Sequence, residues 1–246
     1  MIKVTEASEK GLRPYQEDRY VISKIPHEGY LLATFDGHGG SECADYCAEN
    51  LVSLFHSAAA EDDILENVIR NVFKLLNLGT EYMGSGCAAS IAFIPENGSE
   101  VIVGVLGDAP VLVKKKDGEL WLAPEHNVRT NEAEASAAKD RGGFIQGGYL
   151  FGSRFGSGGL QMSRALGDCN IDVLNREPEI FRLPIDLGSF VLVGTDGLFD
   201  PSHATSPVEF IAAAIESGSN ARDLVQRALA IPTGDNVTAI LAVFGS

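Results

Sequence analysis

The distribution of apolar residues along the chain switches between two periods. Ile2 to Ser8 alternates as a strand does, and Tyr20-Val21-Ile22 and Tyr30 to Phe35 read as two more strands around a Pro26-His27-Glu28-Gly29 turn. Two amphipathic helices are predicted next. Ser41 is expected to cap the first, which turns Ala44, Cys47, Ala48, Leu51, Val52 and Phe55 inward. Asp62 or Asp63 opens the second, with Ile64, Leu65, Val68, Ile69, Val72, Leu75 and Leu76 inward. Short apolar runs then return at Cys87 to Ile94 and Val101 to Leu106, followed by a hairpin that pairs Val111 to Val113 with Leu120 to Leu122. Asn131 with Glu134 forms a capping-box pattern for a short helix to Arg141. Ile180 to Leu183 and Phe190 to Thr195 are strands. Helices starting at Ser206-Pro207 and Asn220 follow, and Val237 to Phe244 is a last strand. Hairpins outnumber strand-helix-strand crossovers, which predicts an α+β fold of antiparallel sheets with helices outside them. No repeat or linker interrupts the pattern, so residues 1-246 are expected to form one domain.

One stretch departs from this regularity. Gly142 to Gly159 holds eight glycines in eighteen residues, and a mobile loop is expected there.

Composition narrows the partners. The formal net charge of -15 argues against nucleic acid and against an anionic membrane surface. It suits a chain that gathers carboxylates around cations. The apolar fraction of 45% supports a sizeable core, and no apolar run approaches a membrane span. The opening Met1 to Glu6 lacks a signal-peptide core. Cys43, Cys47, Cys87 and Cys169 show no paired framework. Cys43 and Cys47 share a helix face, but two thiols make a poor zinc site, so packing by reduced thiols is expected. A cytoplasmic or nuclear location is the default expectation.

The candidate chemistry lies in acids with a shared local grammar. Glu17-Asp18 ends a loop before a strand. Asp36 follows Leu31 to Phe35 and opens the Gly-rich stretch Asp36-Gly37-His38-Gly39-Gly40. Asp108 follows Val103 to Gly107, Asp196 follows Phe190 to Thr195, and Asp235 follows Gly234. Acids at strand ends can meet at one edge of a sheet pair. A set of carboxylate and carbonyl oxygens without His or Cys suits Mg²⁺ or Mn²⁺. His38 is a candidate general acid. Spacing alone leaves a second reading open, in which these are solvated turn acids.

Taken in order, these motifs resemble those of the metal-dependent serine/threonine protein phosphatases of the 2C type. The resemblance runs through Arg13-Pro14-Tyr15-Gln16-Glu17-Asp18, Asp36-Gly37-His38-Gly39-Gly40, Ser85 to Ala89, Gly107-Asp108, Leu160 to Asp168, Asp196 to Asp200 and Asp235 to Thr238. It implies a sandwich of two antiparallel β-sheets flanked by α-helices on both sides, with metals in a cleft at one end. It implies that Asp36 bridges two ions, that Glu17 and the Gly37 carbonyl serve one, and that Asp196 and Asp235 serve the other. Asp18 would hold a water, and Asp108 with Asp196 would touch a weaker third ion. Arg13 would grip the phosphate and His38 would protonate the leaving oxygen. The implied reaction is hydrolysis of phosphoserine and phosphothreonine in phosphoproteins by direct attack of a metal-bridging water. A monomer is expected, and the Gly-rich segment 142-159 is expected to be a flap.

Some positions differ from the family pattern. Ala109-Pro110 stands where Ser-Arg is common, Ala88 where Thr is usual, and Leu122-Ala123-Pro124-Glu125-His126 where Leu-Thr-x-Asp-His is usual. The differences fall around the third ion and the substrate approach, and they leave the two-ion core untouched. A structural hydrogen-bonding role is expected for His126, and Ser163-Arg164 is expected to anchor the end of the flap. Two rival functions stand beside the leading one. One is a catalytically dead member acting as a kinase-pathway binding scaffold, against which the complete set Glu17, Asp36, Asp196 and Asp235 argues. The other is a metal hydrolase for a different phosphate ester.

Overall fold

The structure is a computed structural model and describes residues 1-153, 158-199, 207-231 and 234-245. Asp200, His203, Ser206, Thr233 and the middle of the Gly-rich segment, 154-157, lie outside the described residues. The first half of the chain runs β1 (Ile2–Glu9), β2 (Arg19–Ile25), β3 (Gly29–His38), α1 (Glu42–Ala59), α2 (Leu65–Thr80), β4 (Gly86–Pro95) and β5 (Glu100–Leu106). After it come β6 (Val111–Lys114), β7 (Leu120–Leu122), α3 (Glu132–Asp140), β8 (Phe144–Gln146), β9 (Tyr149–Phe151), β10 (Leu166–Gly167), β11 (Glu179–Pro184), β12 (Phe190–Gly194), α4 (Pro207–Glu216), α5 (Ala221–Ala230) and β13 (Val237–Phe244).

Two antiparallel sheets stack face to face, one in the order β1-β13-β12-β6-β7 and the other β11-β5-β4-β3-β2, with β10 added beside β4. Both faces of each sheet are covered, which explains the nearly continuous apolar runs of β4 and β12. Successive side chains on a strand point to opposite faces. Leu32, Ala92 and Val103 therefore join Val113, Val191 and Ile240 in the core between the sheets. Their neighbours Leu31, Ala33, Ile91 and Ile102 pack outward against α1 and α2. On the opposite side Leu192, Ala239 and Leu241 meet α4 and α5. The result is the expected layering of helices, sheet, sheet and helices. Among the described residues no helix is long and apolar enough to cross a membrane.

Four local expectations are corrected. Strand β3 does not end before Asp36 but continues through Gly37 to His38, because β4 reaches back to Gly86 and supplies pairing partners for all three. Ser41 does not cap α1 with its side chain. Its hydroxyl donates instead to Asp45 Oδ2 at 2.7 Å. Ile64 is exposed rather than inward, because α2 starts one residue later, and Asp62 accepts the Ile64 N–H at 2.8 Å. The Gly-rich segment is not simply a loop. Phe144 to Gln146 pair with Tyr149 to Phe151 across Gly147-Gly148, whose φ values of 61° and 83° are those of a tight hairpin turn. Leu150 at the centre of this hairpin is fully buried against Ala138, Ile171 and Val173.

Candidate metal and active site

Strand parity places the central acid. On β3 Leu32 points into the space between the sheets, and Thr34 donates its hydroxyl across that space to the Gly194 carbonyl at 3.0 Å. Asp36 is next on this face, at the end of the sandwich where the apolar filling stops. Its Oδ2 accepts the backbone N–H of Asp196 at 3.3 Å, so the ends of β3 and β12 are joined at two acids. Burial first, and then the charges of Asp196, Asp18, Asp108 and Asp235, push the Asp36 carboxyl well above the usual range.

Asp18 reaches the same place from the loop before β2. It is 3% exposed, and its Oδ2 accepts from Thr238 Oγ1 at 2.7 Å and Thr195 Oγ1 at 2.9 Å. Burial outweighs these bonds and lifts its pKa to about 6. Asp196, whose side chain opens to the cleft, rises further, to about 8, through desolvation within the acid cluster and then the charges of Asp108, Asp235 and Asp18. Asp235 is raised by burial as well, although Arg13 Nη2 donates to its Oδ2 at 2.7 Å.

Glu17 joins through the backbone. Its Oε1 accepts the Gly40 N–H at 2.6 Å, and its own N–H donates to Asn236 Oδ1 at 2.9 Å. The Gly37 backbone comes so close to this loop that a Cβ there would stand 2.4 Å from the Glu17 carbonyl. Asp108 sits after β5. Its Oδ2 accepts from Asn127 Nδ2 at 3.0 Å, and burial raises its pKa. With Arg13, Glu125, Arg129, Asp196 and Asp235 it lines an open cleft of about 740 Å³. Arg13 stands at the lip, where its Nε donates to the Gly234 carbonyl at 2.5 Å.

His38 and Asp168 form the other half of the site. His38 Nε2 lies 2.8 Å from Asp168 Oδ2. Burial disfavours the protonated ring, but the hydrogen bond and charge of Asp168 prevail and raise the His38 pKa. The pair needs Gly86 opposite. A Cβ at that position would stand 2.0 Å from Asp168 Oδ2 and 2.5 Å from His38 Nε2.

Every acid singled out in the sequence thus converges here, and so do Arg13 and His38. Three supports were not singled out. Asp168 ends a recognised motif, and its φ of 49°, rare outside glycine, holds its carboxylate on His38. Asn236 is buried and donates to the Lys10 and Tyr15 carbonyls at 2.8 Å and 2.9 Å, which ties the loop bearing Arg13, Glu17 and Asp18 to β13. Thr195 and Thr238 fix Asp18. Thr195 beside Asp196 and Asn236 beside Asp235, polar residues next to apolar strands, are the available signal.

His126 has the structural role expected of it. It is fully buried, and its Nδ1 accepts the Gly107 N–H at 3.0 Å, which fixes the turn before Asp108. Its Nε2 therefore carries the proton, 3.6 Å from Glu179 Oε1. Glu134 does not complete the capping box. Its carboxylate turns instead to Ser163 and Arg164, which lie between the hairpin and Asp168.

The model of the protein phosphatase 2C family matches residues 13–237. Probable protein phosphatase 2C 43 of Arabidopsis thaliana is 26% identical over 95% of the chain and 64% of its own length. The mitochondrial protein phosphatase 1K of Xenopus laevis is 25% identical over 99% of the chain and 68% of its own length. The chain therefore spans about two thirds of the length of these relatives. Among solved structures, a C. elegans sex determining protein superposes with a TM-score of 0.80 at 27% identity, over 98% of this chain and 64% of its own. The catalytic domain of the serine threonine protein phosphatase PstP, solved in complex with 2 manganese ions, gives a TM-score of 0.65 at 20% identity, over 100% of this chain and 99% of its own. That last likeness is one of fold.

Proposed function

The chain belongs to the protein phosphatase 2C family, and we propose that it is itself a Mg²⁺- or Mn²⁺-dependent hydrolase of phosphoserine and phosphothreonine in phosphoproteins. Members of the family are metal-dependent protein serine/threonine phosphatases. The observation that carries the reading for this chain is the convergence of Asp36 with Asp18, Asp196 and Asp235 between the ends of the sheets. Carboxylates gathered this closely hold their protons against repulsion. Cations relieve that repulsion, and an all-oxygen donor set suits hard divalent ions.

In this reading Asp36, Glu17, the Gly37 carbonyl, Asp196 and Asp235 would together hold two ions. Asp108 with Asp196 would serve a weaker third. When bound, the ions supply positive charge for the phosphate and acidify water at the site. The remaining steps belong to the chain. Arg13 presents its guanidinium at the cleft lip, where a planar donor fork suits phosphate oxygens. Asp18 accepts a hydrogen bond from the attacking water and orients it. An oxygen–phosphorus bond forms as the phosphorus–oxygen bond to the Ser or Thr side chain breaks. His38, kept protonated by Asp168, gives its proton to that departing oxygen. The open cleft of about 740 Å³ leaves room for a phosphate carried on a protein surface. Residues 142-159 form the cleft flap in this reading, and 1-246 act as one catalytic domain.

The test is phosphate release from a phosphothreonine peptide with Mn²⁺ and with a chelator. Turnover that appears with Mn²⁺ and disappears in Asp36→Asn supports the reading. Peptide binding without turnover points to a scaffold, and faster turnover of a small phosphate ester points to another substrate.

A further inference from the structure

Behind β3, away from the acids, three thiols meet. Cys43 and Cys47 stand one turn apart on α1, and Cys87 on β4 pairs across the sheet with Gly37. Cys43 Sγ is 3.6 Å from Cys87 Sγ, Cys87 Sγ is 4.0 Å from Cys47 Sγ, and all three lie within 4.8 Å of one another. All are free thiols and fully buried. The sequence shows only the helical pair, and the fold brings the third sulfur.

We propose that Cys43, Cys47 and Cys87 form a three-sulfur site for a thiophilic cation, with Cu(I) as the ion that fits it. A metal–thiolate bond is about 2.3 Å long, so three sulfurs in a plane around one ion stand about 4.0 Å apart. Two sides of this triangle, 3.6 Å and 4.0 Å, already have nearly that spacing, and the third is within 4.8 Å. Among the described residues the group holds no carboxylate or imidazole ligand. Mg²⁺ and Mn²⁺ therefore find no oxygen there, and Zn²⁺ lacks its usual fourth ligand. Cu(I) is soft and accepts three thiolates. Binding breaks three S–H bonds, forms three Cu–S bonds and releases three protons to solvent, with no change in oxidation state. The Arg176 guanidinium, which bonds the Ala165 carbonyl and is shared with Asp168, is the nearby positive charge. The ion would tie the start of α1 to β4. It would also sit beneath Gly167, where an added Cβ would stand 2.9 Å from Cys43 Sγ.

The full chain is titrated anaerobically with Cu(I) against bicinchoninate, with Mn²⁺ present. One Cu(I) per chain is expected, with X-ray absorption reporting three sulfurs at about 2.3 Å. Cu(I) should raise the melting temperature of the wild type. Cys47→Ser should lower the Cu(I) affinity at least tenfold and abolish that rise, whereas Cys169→Ser should change neither. Circular dichroism verifies that Cys47→Ser is folded, and X-ray absorption on the wild type decides the coordination without any variant. Unchanged affinity in folded Cys47→Ser, two-sulfur coordination, or failure to compete with bicinchoninate would overturn the proposal.

Discussion

His38 Nε2 lies 2.8 Å from Oδ2 of Asp168, a residue held at a φ of 49° to make that contact. The two come from elements far apart in the chain, β3 and the turn after β10, and both flank Gly86. A left-handed aspartate costs about 1 kcal/mol or more, so its surroundings must enforce it. Here the Asp168 N–H donates to the Ser85 carbonyl at 3.0 Å, and its carbonyl accepts from Ile171 N at 2.9 Å.

Asp168 raises the His38 pKa against the effect of burial, so His38 stays protonated to higher pH than it otherwise would. Asp168→Asn should move the alkaline limb of the pH–rate profile to lower pH and slow phosphopeptide turnover about 10–100-fold. Mn²⁺ affinity should not change. A pH–rate profile with an unmoved alkaline limb would show that Asp168 does not set the His38 proton.

His38→Ala tests the proton itself. A general acid matters most when the leaving oxygen is basic, and losing one costs about 10²–10⁴-fold. Phosphoserine turnover should fall in that range, while p-nitrophenyl phosphate should lose far less. Kinetics with both substrates measure the difference, and equal losses would remove His38 from that role.

In the proposed function protons and metal would compete for the acids, which predicts how stability depends on pH. The folded-state pKa values of Asp196, about 8, and Asp18, about 6, lie above the ordinary 3.8. Such groups contribute stability that is present below the ordinary value and lost as pH rises through the folded one. With chelator present, the melting temperature should therefore fall between about pH 4 and pH 8, and Mn²⁺ should flatten the decline. Asp196→Asn should be at least as stable as wild type in chelator and gain much less from Mn²⁺. Each 1 kcal/mol corresponds to about 2–4 °C at this chain length. Thermal melts of both proteins across pH provide the check.

The hairpin of β8 and β9 is expected to govern access by large substrates. Replacing Phe144 to Phe151 with a short Gly-Ser link should lower phosphoprotein turnover and spare a small aryl phosphate. Equal losses on the two substrates would assign the hairpin to the support of the fold.

Much of this architecture can be read from residue order. The continuous apolar runs of β3, β4 and β12 and the amphipathic patterns of α1 and α2 each follow from local sequence. So does the placement of acids at strand ends, and with it the candidate metal set. Pairing across the chain is harder to read. The extension of β3 through His38 depends on where β4 begins, and the fixing of Asp18 depends on Thr195 and Thr238, each more than 170 residues away. Ser41 and Glu134 carry cap signatures, yet Asp45 in the first turn of α1 and the distant Arg164 claim their side chains. The β8–β9 hairpin shows in its Gly147-Gly148 turn between short, mostly apolar runs, but the glycine density around it favours a loop.

The central claim is that Asp36 joins two ions in one site. Electron paramagnetic resonance of free Mn²⁺ during a titration counts the ions bound to wild type and to Asp36→Asn. The account predicts two tightly bound Mn²⁺ per chain in wild type and loss of both from the single substitution. An Asp36→Asn protein that still binds two Mn²⁺ as tightly as wild type would contradict it.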